Sequence, residues 1–561
     1  MWELGRLLKM RWLVPFLMLL AVPVMATTRY VSQAGGSFSG GTNCNGQTAI
    51  SVATLSTTAQ SAGDINWLCG TITSGFTIDG AGSNGNPIVF NWDTGARVSL
   101  TFGQIINMNS ESYVLFDGQV ACGPSTACAS VEAAHPTGYA TGQAGIVEAT
   151  ANGSALANQN TQTQAFYGCN PCTGTIEIRN LIIRNLYQHT SASDTTANAD
   201  SGNFVYQCSS ALSACTGTLS IHDNNIHDTG NALSMEKFTS ATVKVFNNEF
   251  WHNNWALENS GTGTRTMFFY GNHCHDASNW DTGVSDTYHH NCIHSYMNTA
   301  SDMTDLYIYN NRSDGNWGTC CTTSNFLFIE TAPPANAYVF NNVVIQQCLN
   351  SNPAISTRTQ NSGAGFVLLA NNTFLGCATT SSNVEAIDLY GTSITAENNA
   401  IENYGQYVVT GSSATFTTLD YNFYGAIGMS GNSPWQCGAT GDANFAAWQS
   451  SCSGDTHGGK LSSLGVNSST GAPNIGSGLL GVGVNLSSSA SGNLAPLQND
   501  INGIPRPASG AWPVGAVSLV GNAPTPTNAP IIIGGTINMN LTCKGTVMAV
   551  NKNALVLRYF Y

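Results

Sequence analysis

One phrase recurs along this 561-residue chain: a short alternating apolar stretch runs into an Asn pair, followed by a few residues with an apolar centre. It reads Val243-Lys244-Val245-Phe246-Asn247-Asn248, Leu306-Tyr307-Ile308-Tyr309-Asn310-Asn311 and Tyr338-Val339-Phe340-Asn341-Asn342. Variants occur at Ile176 to Asn180, Leu219 to Asn224, Phe268 to Asn272, Leu368 to Asn372 and Ile394 to Asn399. From Asn248 the steps are 24, 39, 31, 30 and 27 residues. Period-two alternation without helical spacing means short strands, and strands repeated at this interval mean a solenoid rather than a single-core globule. Asn tolerates left-handed turn conformations and bonds turn backbone groups, so the repeated Asn are expected to be structural.

The first residues carry Arg6, Lys9 and Arg11, then an apolar run from Trp12 to Val24 and the small-residue site Val24-Met25-Ala26. This is the pattern of a signal peptide, residues 1–26, so the chain is expected to be secreted to the periplasm or beyond, with no membrane span after cleavage. Only 9% of the residues are Asp, Glu, Lys or Arg while 42% are hydrophobic, which excludes a disordered polyelectrolyte. A formal net charge of -14 argues against nucleic acid as a partner. Seventeen cysteines in an exported chain read as local disulfides with at least one thiol left over. Cys122 with Cys128, Cys208 with Cys215 and Cys437 with Cys452 are the expected pairs. Cys169 and Cys172 have metal-like spacing but no second such pair, so a loop staple is expected there.

Residues 27–165 are strand-and-turn sequence without clear repeats, read as an N-terminal cap and first coils. Residues 166–424 carry the repeats, 425–520 are Gly/Ser-rich and suit a closing cap, and 521–561 begin as a Pro/Thr/Asn linker and end in an unassigned tail. The Asn-rich strand phrase resembles the right-handed parallel β-helix repeat of the pectate-lyase-like superfamily. The stretches Phe445 to Gln449 with Gly454-Asp455, and Asp500 to Pro507 before Trp512 and Gly515, are similar to the C-terminal part of secreted bacterial β-helix proteins. The resemblance implies an all-β, single-stranded right-handed parallel β-helix with N- and C-terminal caps. It implies no particular reaction, because that fold hosts lyases, hydrolases, epimerases and binding proteins.

Stacked coils turn each strand position into a column of side chains. Aligning the strand after each turn places Leu233, Leu257, Ile293, Leu327, Ile355 and Ile387 inward. The outward columns are then Ser234, Glu258, His294, Phe328, Ser356 and Asp388 and, two residues on, Glu236, Ser260, Tyr296, Glu330, Arg358 and Tyr390. Carboxylates, a His, an Arg and tyrosines on one strip of so charge-poor a chain mark a candidate site. Glu258, His294, Glu330 and Glu236 are the catalytic candidates, with Glu258 and His294 expected on adjacent coils. Lys237, Tyr296, Arg358, Asp388 and Tyr390 are candidates for binding substrate. The insertion Asn279 to His290 brings Trp280, His289 and His290 to the edge of the strip as a cleft wall.

A second constellation comes after the Asn pairs: His227, Trp251 and His275 in one column, Asp228, His252 and Asp276 in the next. Three His and two Asp over three coils could bind a divalent metal or supply an acid and a base. The spacing inside one coil matches no metal signature, so a hydrogen-bonded ladder at the turn is the favoured expectation and no metal ligand is assigned. A third column, Phe246, Tyr270, Tyr309 and Phe340, either covers the sheet or offers a platform for sugar rings. Together these features suggest a monomeric, carbohydrate-active protein whose partner is a polysaccharide. A glycoside hydrolase needs two carboxyl groups, supplied by Glu258 with Glu236 or Glu330. A polysaccharide lyase needs a base, His294 or Lys237, and a neutralising Arg358, Arg265 or divalent cation such as calcium. The alternative is a non-catalytic, adhesin-like β-helix that binds glycans.

Overall fold

The computed structural model describes residues 26–134, 145–150, 163–169, 172–186, 204–208, 215–235, 238–261, 265–277, 290–297, 305–317, 325–331, 336–346, 353–357, 365–377, 384–389, 392–411, 414–427, 433–438 and 440–519. The fold is a parallel β-helix with three faces. The first face is a fifteen-stranded sheet in which equivalent strands of successive coils pair in parallel, from Thr28–Ser32 to Thr415–Asp420. Only the first turn departs from this, where Ala34–Ser37 and Thr48–Ser51 pair antiparallel. The other twenty-four strands divide into two ladders, the second and third faces, joined where Asn225–Met235 and Glu249–Gly261 run through both.

Asparagine chemistry sets the corner between the first and second faces. The first residue of each pair takes a positive φ, as at Asp223, Asn247, Asn310, Asn341, Asn371 and Asn398, and Gly271 fills the same position with φ 64°. The second residue points inward. Asn224, Asn248, Asn272, Asn311, Asn342, Asn372, Asn399 and Asn422 form one buried ladder. Each donates from Nδ2 to the Oδ1 of the next rung at 2.9 to 3.2 Å. Each Nδ2 also meets a carbonyl of the preceding coil. The ladder ends on Asp455, which also accepts from Tyr424 Oη at 2.7 Å and Trp448 Nε1 at 3.0 Å.

The inward columns are in the expected register. Leu233, Leu257, Ile293, Leu327, Ile355 and Ile387 face one another across five successive pairings and are all buried. Removing each such side chain from water contributes about 1.5–3 kcal/mol. Five disulfides lie among the described residues: Cys44–Cys69, Cys122–Cys128, Cys169–Cys172, Cys274–Cys292 and Cys437–Cys452. Three of these are the expected local pairs; the side chain of Cys208 lies outside the described residues.

The helix Phe445–Cys452 and Asp455 close the end of the solenoid. Residues 461–519 run back along the outside of the last coils. Arg506 is buried, donating to Asn341 Oδ1 and Gly515 O, both at 3.0 Å, and Gly515 N donates to the carbonyl of Asn398. The motif from Asp500 to Pro507 therefore fastens this segment to the Asn corner. No helix among the described residues is long and apolar enough to cross a membrane.

Candidate functional site

The third face carries the strip expected from the sequence. Ser234, Glu258, His294, Phe328, Ser356 and Asp388 occupy consecutive rungs of one column, and Ser260, Tyr296 and Glu330 stand two residues on. His294 is held on several sides: its ring lies 4.7 Å from that of Trp255 and stacks on Phe328 at 5.4 Å. Its Nε2 is 3.1 Å from Glu330 Oε2, and Glu258 occupies the same column one rung away. Glu258 Oε2 accepts from Asn231 Nδ2 at 3.0 Å and Ser234 Oγ at 3.2 Å.

One expectation needs correction. The column points away from the core, yet Ser234, His294, Ser356 and Asp388 are buried rather than solvated. Aromatic packing around His294 and the Ser356 to Asp388 contact at 3.5 Å show that facing outward is not the same as facing water. Tyr296, at 40% exposure, and Glu330 are the open members. His290, expected in a cleft wall, is fully buried with Nδ1 2.9 Å from the carbonyl of Trp317. Glu236, Lys237, Trp280, His289, Arg358 and Tyr390 lie outside the described residues.

The second face carries a longer polar column: Ser99, Glu148, Arg184, His227, Trp251, His275 and Asp314 on consecutive rungs. Its centre is buried and rich in ionisable side chains. Arg184 contacts Glu132, and its Nε donates to Glu148 at 2.8 Å. His227 lies between Asp228 Oδ2 at 2.7 Å and Glu132 Oε1 at 3.1 Å, with Trp251 stacked on its ring at 4.0 Å. Burial alone would depress the His227 pKa, but the two carboxylates raise it; burial would raise that of Asp228, but His227 and His252 lower it. Glu132 arrives from the helix Ala127–Ala134, which has no counterpart in the sequence repeats. Arg184 and Asp314 were legible: each lies four residues beyond the left-handed corner residue, as His227 and His275 do.

Two rungs further on, Glu249 Oε1 is 2.9 Å from both His273 Nδ1 and His275 Nε2. The far nitrogens of these rings are also occupied, His273 Nε2 by Asp314 Oδ1 at 2.8 Å and His275 Nδ1 by Asp276 Oδ2 at 2.7 Å. Burial would raise the Glu249 pKa, but the two imidazoles hold it at about 2; burial would also raise that of Asp314, which His273 and Arg312 hold at about 2. His275 is pushed up to about 9, against the effect of burial, by Asp276 and Glu249. These contacts make a hydrogen-bonded ladder at the turn that draws in Glu249, His273 and Asp314 beyond the columns named from the sequence, and Glu249, His273 and His275 are also a set that could hold a metal ion.

On the first face Phe246, Tyr270, Tyr309 and Phe340 stack at 4.8 to 4.9 Å with rings within 2° of parallel. Leu486, Leu497 and Trp512 pack on this cluster and bury Tyr309 and Phe340. Phe246 and Tyr270 remain half-buried.

No family model matches the chain, and no curated protein does. Among solved structures, a similar chain is the native GH136 lacto-N-biosidase from Eubacterium ramulus, with 8% identity and a TM-score of 0.35, over 74% of this chain and 67% of that one. A likeness of that size carries no inference about chemistry.

Proposed function

We propose that the chain is an exported, carbohydrate-active β-helix protein of pectate-lyase-like architecture that cleaves a polysaccharide laid along the third face. The observation that carries this reading is the strip itself: Glu258 and His294 are in register on adjacent rungs and Glu330 reaches His294 from the next rung, so two carboxylates in two different settings flank one imidazole position. Glycoside hydrolysis needs one carboxyl group as acid and another ionised. The strip supplies two such groups, Glu258, which accepts from Asn231 and Ser234, and Glu330, the more open to solvent. Tyr296 offers a ring face to a sugar. Export is supported by the disulfides, which persist in oxidising compartments.

A binding-only reading is supported by a separate observation, the accessible part of the first-face ladder at Phe246 and Tyr270. The test is product formation from a panel of neutral and uronic-acid polysaccharides. New reducing ends without unsaturated-uronate absorbance are expected. Absorbance of that band would replace hydrolysis by elimination, and no product from any polymer that the protein retains would leave glycan binding in place of catalysis.

A further inference from the structure

Two histidines at positions i and i+2 of one strand lie on the same face, and a glutamate one rung below meets both. Around a tetrahedral ion with bonds of about 2.1 Å, donor atoms stand roughly 3.4 Å apart. The candidate donors of Glu249, His273 and His275 all lie within 4.8 Å of one another, with two separations of 2.9 Å, so small side-chain shifts bring them to that spacing. The second Glu249 oxygen is buried without a hydrogen-bond partner. Each ring nitrogen turned away from Glu249 is held by its own carboxylate, Asp314 or Asp276, and Asp314 is itself fixed by Arg312 Nε at 2.5 Å. Carboxylates on the far nitrogens are how metal-binding histidines are oriented. None of these groups belongs to the third-face strip.

We propose that Glu249, His273 and His275 bind one first-row divalent cation of the zinc class, with Asp314 and Asp276 positioning the two imidazoles. Nitrogen donors from two histidines favour such an ion over calcium, which takes oxygen ligands. Three protein ligands leave a coordination position for water or another small ligand, and the partial exposure of His273 and His275 gives the ion a way in.

The test uses the full chain, stripped with chelator and titrated with zinc chloride by calorimetry. One saturable site per chain is expected. His275→Ala should abolish it, and Asp314→Asn should weaken it roughly 10- to 100-fold. Glu258→Ala should bind like wild type. Absence of binding to wild type, or unchanged binding in His275→Ala, overturns the proposal. If circular dichroism shows that His275→Ala does not fold, zinc-edge X-ray absorption of the wild-type complex decides. A first shell of two imidazole nitrogens with oxygen supports the site, and a sulfur-containing or all-oxygen shell overturns it.

Discussion

Replacing Asn342 by Ala tests the Asn ladder as the device that sets the corner. Asn342 is fully buried; its Nδ2 donates to Ile308 O at 2.9 Å and Asn372 Oδ1 at 3.0 Å, and its Oδ1 accepts from the backbone and side-chain nitrogens of Asn311, both at 3.0 Å. Asn311 Nδ2 keeps Phe269 O, Asn372 Oδ1 keeps the Asn342 backbone N–H, and the parallel pairing of Ile308 with Val339 keeps Ile308 O in the backbone ladder, so truncation strands one group, Asn311 N. At about 1–3 kcal/mol for a buried group left unsatisfied, the expected loss is about 1–3 kcal/mol. Asn247→Gly is the contrast. Asn247 sits at φ 53°, where Gly meets no steric penalty, and Gly271 already fills the equivalent corner, so a change within about 1 kcal/mol is expected. Urea unfolding monitored by far-ultraviolet circular dichroism reads both. A midpoint for Asn342→Ala indistinguishable from wild type, or an equal loss in Asn247→Gly, would refute the reasoning.

Other outcomes rest on named contacts. His227 has a raised folded-state pKa, so its contribution is complete below about 6.5 and lost as pH rises through the folded value. Relative to wild type, His227→Gln should flatten the fall of thermal midpoint on the alkaline side; an unchanged slope would assign the fall to other groups. Asp228 acts in the opposite direction, its contribution being lost as pH drops below the ordinary carboxylate range. The Cys274–Cys292 bridge closes a sequence separation of 18, so the double Ser variant should lose about 3 kcal/mol and be cleaved sooner by protease between these positions. Equal protease lifetimes would show that the bridge does not restrain that segment.

The solenoid was legible because each coil repeats one corner, so a single Asn-pair phrase fixes both the turn and the register of the next strand. That is why Leu233, Leu257, Ile293, Leu327, Ile355 and Ile387 could be stacked from the sequence alone. Burial along the outward strip was not legible, because local alternation gives the direction of a side chain and says nothing of what packs over it; His294 and Asp388 are the examples. The path of residues 461–519 was hidden for a similar reason: Arg506 finds Asn341 across 165 residues, with no periodic signal to announce it. Glu132 reaches His227 from a helix inserted between coils, outside any repeat. The second-face column, by contrast, was readable further than it was read, since counting four residues from each left-handed corner also finds Arg184 and Asp314.

The proposed function requires the third face to hold the substrate. A crystal structure of Glu258→Gln soaked with an oligosaccharide cut from the polymer that wild type cleaves tests it most directly. Sugar density is predicted across the rungs of residues 258, 294 and 328, with a ring against Tyr296 and the scissile oxygen beside residue 258 or Glu330. Sugar bound at Phe246 and Tyr270 on the first face, with the third face empty, would contradict it.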